Sequence, residues 1–160
     1  MTKLFTSFYY KDDYWRVQQV LNMGVIEGQP LMDAQAWESL KRTSDKAVQN
    51  WIDTQMADRS TVLVLVGSNT ASRPWVRYEI VKAWNERKKL LGIRIHGLQN
   101  SEKKTSSAGA DPFANIKLDN GKSLSDYIPL HTPIGAASTD VHASISKNLA
   151  TWLSQAPKRN

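Results

Sequence analysis

Residues 60–84 read STVLVLVGSNTASRPWVRYEIVKAW, and three structural states follow one another within them. Residues 62–66 (VLVLV) are apolar at every position. Such a run suits a parallel strand covered on both faces, where a surface strand would alternate. Residues 67–72 are a polar turn, and Pro74 stands where a helix begins, since the first turn does not need its missing N–H. From there to about Lys88, Val76, Ile80 and Ala83 recur on one helical face.

The same alternation extends in both directions. Residues 3–8 (KLFTSF) predict a first strand, and Asp12 and Asp13 offer N-cap chemistry for a helix carrying Tyr14, Val17, Val20 and Leu21 inward. A weaker strand is expected at 30–33, followed by a polar loop around Trp37. Thr43 or Ser44 caps the next helix, which turns Ala47, Val48, Trp51, Ile52 and Met56 to one side. Residues 90–95 (LLGIRI) predict another strand. Residues 97–112 are rich in Ser, Lys and Gly and predict a surface loop. The stretch 113–160 carries weaker signals: an edge strand near 116–118, then a helix from 138–140 with Val141, Ile145, Leu149 and Trp152 on one face. Strand and helix in strict alternation imply an α/β fold, a central mostly parallel sheet with helices on both faces. One domain over 1–160 accommodates it. In such sheets ligands bind beyond the carboxyl ends of the strands, which selects the segments 7–13, 35–44 and 67–79.

Composition narrows the function. The chain has no cysteine, so disulfides, thiolate metal sites and Cys nucleophiles are excluded, and a reducing compartment, the cytoplasm, is expected. The N-terminus lacks the pattern of a secretory signal, and no apolar run approaches the roughly 20 residues of a spanning helix. A net charge of +6 comes in short clusters without a nucleic-acid motif, so neither nucleic acid nor membrane is expected as a partner. No His/Asp/Glu cluster has metal-ligand spacing, and no phosphate-binding glycine loop is present. His96, at a strand end, can reach the cleft or simply be solvated; His131 and His142 are given no role.

Trp75 and Glu79 stand four apart, on neighbouring points of one helix face next to the buried one. An aromatic plate and a carboxylate would thus border the strand-end cleft. Such pairs are common and are usually structural; the surroundings give this one meaning. A buried strand, Gly-Ser-Asn-Thr, then Arg-Pro-Trp-Val-Arg-Tyr-Glu-Ile resembles the Toll/interleukin-receptor (TIR) pattern, in which a strand ends in a Ser-containing turn before a W-x-x-x-E helix. Leu4-Phe5-Thr6-Ser7-Phe8 is similar to the first TIR strand. SFYYKDD, Trp37-Glu38 with Lys41, Thr43-Ser44-Asp45, Gly92-Ile93-Arg94-Ile95 and Asp111-Pro112-Phe113 resemble the TIR-like proteins of the Thoeris anti-phage defence system, over residues 3–113.

The resemblance implies a flavodoxin-like TIR fold and an enzyme that breaks the nicotinamide–ribose bond of NAD+. It implies a cyclic ADP-ribose-type or related product that activates a separate effector. NAD+ is then substrate, with no cofactor and no metal. Glu79 matches the catalytic glutamate and Trp75 the motif tryptophan. Ser7, Phe8, Tyr9 and Tyr10 match positions that line the pocket, and self-association through TIR domains is expected. The loop around Trp37 corresponds to the segment that opens and closes the pocket. Nicotinamide on NAD+ is cationic and departs neutral, so a single carboxylate facing the oxocarbenium-like carbon suffices without a general acid. Two other readings stay open: a non-catalytic TIR scaffold, and a flavodoxin-like nucleotide binder of another family. Phe5, Phe8 and Trp51 read as core residues, and Ser7 can as well bond its own backbone.

Overall fold

The computed structural model describes residues 1–158. In chain order its elements are β1 (Thr2–Lys3), β2 (Phe5–Ser7), α1 (Tyr10–Leu21), β3 (Ile26–Glu27), α2 (Ala34–Thr43), α3 (Asp45–Met56), β4 (Thr61–Val66), α4 (Pro74–Asn85), β5 (Lys89–Arg94), β6 (Leu130–His131) and α5 (Ser138–Gln155). The apolar run is the middle of the sheet. All six residues of β4 are buried, and it runs parallel between β2 and β5. Parallel β6 extends the sheet beyond β5. On the other side β1 pairs with β3, and the Leu4 amide donates to the Glu27 carbonyl (2.9 Å) at the junction of β1 and β2. The order is therefore β3–β1/β2–β4–β5–β6, all parallel: the flavodoxin-like arrangement expected from the alternation.

Several local expectations are corrected. The second strand lies at 26–27, while 30–33 is irregular. The reason is Gln29, 3% exposed, whose side-chain amide continues the ladder where backbone would otherwise do so. Its Oε1 accepts from the Thr6 amide (2.8 Å), and its Nε2 donates to the Thr6 carbonyl (2.9 Å). The segment around Trp37 is helix α2, capped by Asp33, which accepts from the Ala36 amide (2.7 Å). Asp12 and Asp13 do not cap α1; its N-cap is Tyr9, without a side-chain cap bond. Asp13 is instead fully buried and paired with Arg16 (2.8 Å). No edge strand forms at 116–118, where a single antiparallel bridge joins Lys117 to Ser123; the edge is β6.

Ser44 does cap α3, accepting from Ala47 (3.0 Å). Pro74 is the first residue of α4. α5 buries Val141, Ile145, Leu149 and Leu153, while Trp152 stacks on His131 (4.7 Å). The stretch after 113 is less loose than its composition suggests: Phe113, Ile116, Leu124 and Ile128 are all buried. The loop at 97–112 folds back over the sheet, since Ser106 donates to the His96 carbonyl (2.9 Å) and Arg94 to the Gly109 carbonyl (2.5 Å). Residues 159 and 160, the end of the 113–160 stretch, lie outside the described residues.

Candidate functional site

Two βα junctions meet at the carboxyl ends of β2 and β4. The first carries Ser7 at the last position of β2, then Phe8, Tyr9 and Tyr10 into α1. The second carries Gly67, the turn, and α4 with Trp75 and Glu79. Parallel pairing of β2 with β4 brings these distant segments together. Ser7 Oγ donates to Glu79 Oε1 at 2.7 Å, both side chains buried.

The position of Glu79 departs from expectation. It does not line the open surface of the cleft but lies 6% exposed in the interior beside it. Val76, Glu79, Ile80 and Ala83 are the buried residues of α4, at i, i+3, i+4 and i+7 of a single stripe. Glu79 thus occupies a core position of the helix. Burial pushes its carboxyl up to about 8, and the Ser7 hydroxyl opposes that rise by favouring the anion.

An aromatic column stands over this pair. Phe8 stacks on Tyr10 (4.3 Å between centroids), Tyr10 on Trp37 of α2 (4.9 Å), and Trp37 tilts against Trp51 of α3 (5.9 Å). The Tyr10 ring is buried, and burial followed by the nearby Glu79 charge raises its ionisation well above the ordinary range, against a backbone bond from Met32. Beside the column is a cleft of about 150 Å3 lined by Phe8, Tyr9, Tyr10, Trp37, Arg73 and Trp75 among others. Arg73 lays its guanidinium over the Tyr9 ring at 3.9 Å. Trp75 meets Tyr78 edge-on (5.6 Å), and Tyr78 in turn donates to Asp53 of α3 (2.8 Å). Ser7, Phe8, Tyr9, Tyr10, Trp75 and Glu79 are therefore brought to one place, with Ser7 and Glu79 beneath and the rings around.

Two contributors escaped the sequence. Trp37 had a signal, an apolar residue three before Leu40 behind the Asp33 cap, that a polar loop assignment hid. Arg73 had none. His96 lies apart, in a separate cavity of about 210 Å3 shared with Arg94, Thr105 and Pro133. A further groove of about 490 Å3 is lined by Arg77 and Trp84 of α4 with Ile116, and neither Ser7 nor Glu79 is on its wall. Among the described residues no group of three His, Asp or Glu side chains is placed to hold a metal ion, and no helix is long and apolar enough to cross a membrane.

A buried carboxyl with one hydroxyl donor, lying beside a cleft walled by flat rings, can do little to a neutral solute. Toward a cation held against the rings it is different. A positive charge lowers the cost of ionising Glu79, and in a dry site the two attract strongly.

Comparison with known proteins agrees with this geometry. The sequence model of the family described as "Thoeris protein ThsB, TIR-like domain" matches residues 5–100, which include both βα junctions. A Bacillus cereus (strain MSX-D12) protein named "Putative cyclic ADP-D-ribose synthase ThsB1" is 36% identical over 116 residues, 69% of this chain. The match spans 60% of that relative's length. With W-x-x-x-E on α4, its glutamate joined to the serine that ends β2, the chain belongs to the TIR-like domain family of Thoeris protein ThsB.

Proposed function

We propose that the protein cleaves NAD+ and closes the ADP-ribose moiety into a cyclic ADP-ribose-type or related signal, which activates a separate effector in anti-phage defence. The observation that carries the reading is the buried Ser7–Glu79 pair under an aromatic-lined cleft, and the name of the Bacillus cereus relative agrees with it. Glu79 is the catalytic carboxylate. Ser7 orients it, and Phe8, Tyr9, Tyr10 and Trp75 bind substrate.

Cationic nicotinamide entering between the rings draws Glu79 into its ionised form. The bond between the ribose anomeric carbon and the ring nitrogen breaks, and its electron pair neutralises the departing nicotinamide. No proton donor is required. Positive charge grows on the anomeric carbon, and the Glu79 carboxylate stabilises it. A hydroxyl of the same molecule then attacks that carbon and releases its proton to solvent, or a purine ring nitrogen attacks through its lone pair and the proton leaves from the exocyclic amine; water in that place gives linear ADP-ribose and a proton. Tight walls favour the internal nucleophile by excluding water. The protein acts in the cytoplasm, and self-association completes the site.

Incubating the full chain with NAD+ and weighing the products tests the reading. A product one water lighter than ADP-ribose, with free nicotinamide, is expected. Intact NAD+ at every protein concentration would leave the scaffold reading in its place.

A further inference from the structure

The cleft beside Glu79 is half the size that small-molecule pockets usually have, roughly 300 Å3 and upward. A dinucleotide must continue beyond it. A second groove of about 390 Å3 lies between the start of α1, the turn after β4 and the loop at 100–106. Its lining includes Lys11, Asp12, Trp15 and Asn69. The two spaces have no lining residue in common but adjoin along the start of α1: Tyr9 and Tyr10 line the first, Lys11 and Asp12 the second. Arg73, which lines the first, donates through Nε to the Asn69 carbonyl (3.2 Å), and Asn69 Nδ2 donates to Asp12 Oδ2 (2.7 Å).

Within the second groove Trp15 is 55% exposed. An indole left on the surface in the second turn of α1, on the lining of a polar groove, offers a flat apolar plate to a planar ring. Asp12, in the first turn of α1, accepts from Asn69 through Oδ2 and keeps Oδ1 for a ribose hydroxyl. Two cations stand on either side, the Lys11 ammonium in the second groove and the Arg73 guanidinium in the first, and both suit phosphate oxygens.

We infer that this groove is an ADP subsite: the purine stacks on Trp15, its ribose hydroxyls bond Asp12, and the diphosphate crosses between Lys11 and Arg73 toward Glu79. The inference deepens the proposed NAD+ cleavage and rests on it for the direction in which the dinucleotide lies.

The test uses ADP itself with the full-length protein, followed by calorimetry, and NAD+ and nicotinamide mononucleotide as substrates. Trp15→Ala removes only an exposed ring, so its fold and melting temperature should match wild type. ADP is expected to bind wild type and to bind Trp15→Ala roughly tenfold more weakly, with Trp15→Phe restoring most of the loss. In turnover, Trp15→Ala should raise KM for NAD+ by a similar factor at nearly unchanged kcat. Turnover of the mononucleotide, which lacks the ADP half, should not change. Equal ADP binding by wild type and Trp15→Ala, or no ADP binding at all, overturns the subsite. NAD+ cleavage with the same KM in both proteins overturns it too, while leaving the proposed activity standing. ADP binding that depends on Trp15 in a protein that cleaves neither substrate keeps the subsite and removes the activity.

Discussion

The hydroxyl of Ser7 and the carboxyl of Glu79 share one proton equilibrium, on which the proposed chemistry rests. In the unfolded chain Glu79 ionises near 4.5, and in the fold near 8 because burial disfavours the charge. A carboxyl raised in this way stabilises the fold fully below the lower value, and that stability is lost as pH rises through the upper one. Asp13 is raised too, to about 6, chiefly by burial and against its pairing with Arg16. Stability falling between pH 7 and 8.5 therefore belongs to Glu79. Glu79→Gln should flatten the urea-unfolding midpoint across that window, where wild type declines; parallel declines would place Glu79 in water. The same substitution should cut NAD+ turnover by about a hundredfold to a thousandfold, the usual loss for one preorganised electrostatic contact. For wild type, kcat/KM should climb with pH toward about 8, because it reports ionisation in the free enzyme. Ser7→Ala withdraws the bond that favours the anion. Its activity profile should therefore shift to higher pH, and a profile unmoved from wild type would show that Ser7 does not tune Glu79.

Elements differ in how plainly their residues announce them. β4 and α4 were readable because one period governs each, uninterrupted apolar or every third and fourth residue. β3 was not, because a side chain, Gln29, does part of a strand's work and no periodicity encodes that. α2 was hidden by its polarity: of its ten residues only Trp37 is buried. The depth of Glu79 was misread for a related reason. A carboxylate reads as a surface residue, yet its spacing from Val76, Ile80 and Ala83 already put it on the inward stripe. Which residues gather was legible from the resemblance; the cover that Trp37 provides, and Arg73 across Tyr9, come only from three-dimensional placement. With a single buried anchor, α2 should open far more readily than the sheet. Backbone amides of 34–43 should exchange with deuterium orders of magnitude faster than those of 61–66, and Trp37→Ala should accelerate that exchange without altering the sheet. At the turn after β4 the opposite holds. A methyl at Gly67 would stand 2.1 Å from Asp13 Oδ2, so Gly67→Ala should destabilise the protein by about 1–3 kcal/mol in urea unfolding, as overpacking does.

At the scale of the molecule, one sheet end gathers the candidate site from segments 72 residues apart in sequence. On the proposed reading, the narrow cleft admits substrate when the weakly anchored α2 moves aside. If a neighbour holds α2 open, specific activity should rise with protein concentration; a constant value from nanomolar to tens of micromolar would argue against assembly. The loop that follows β5 has its own consequence. It is held down beside its base, by Ser106 to the His96 carbonyl, Ser68 to the Ser107 carbonyl and Arg94 to the Gly109 carbonyl, while Lys103 and Lys104 stand exposed at its tip. A protease specific for lysine should therefore nick the chain at one place and leave two pieces that stay together in gel filtration. Such pieces, made separately and mixed, would reassemble into a working protein, turning the tip of a single loop into a joint at which the enzyme can be divided and switched on by bringing its halves into contact.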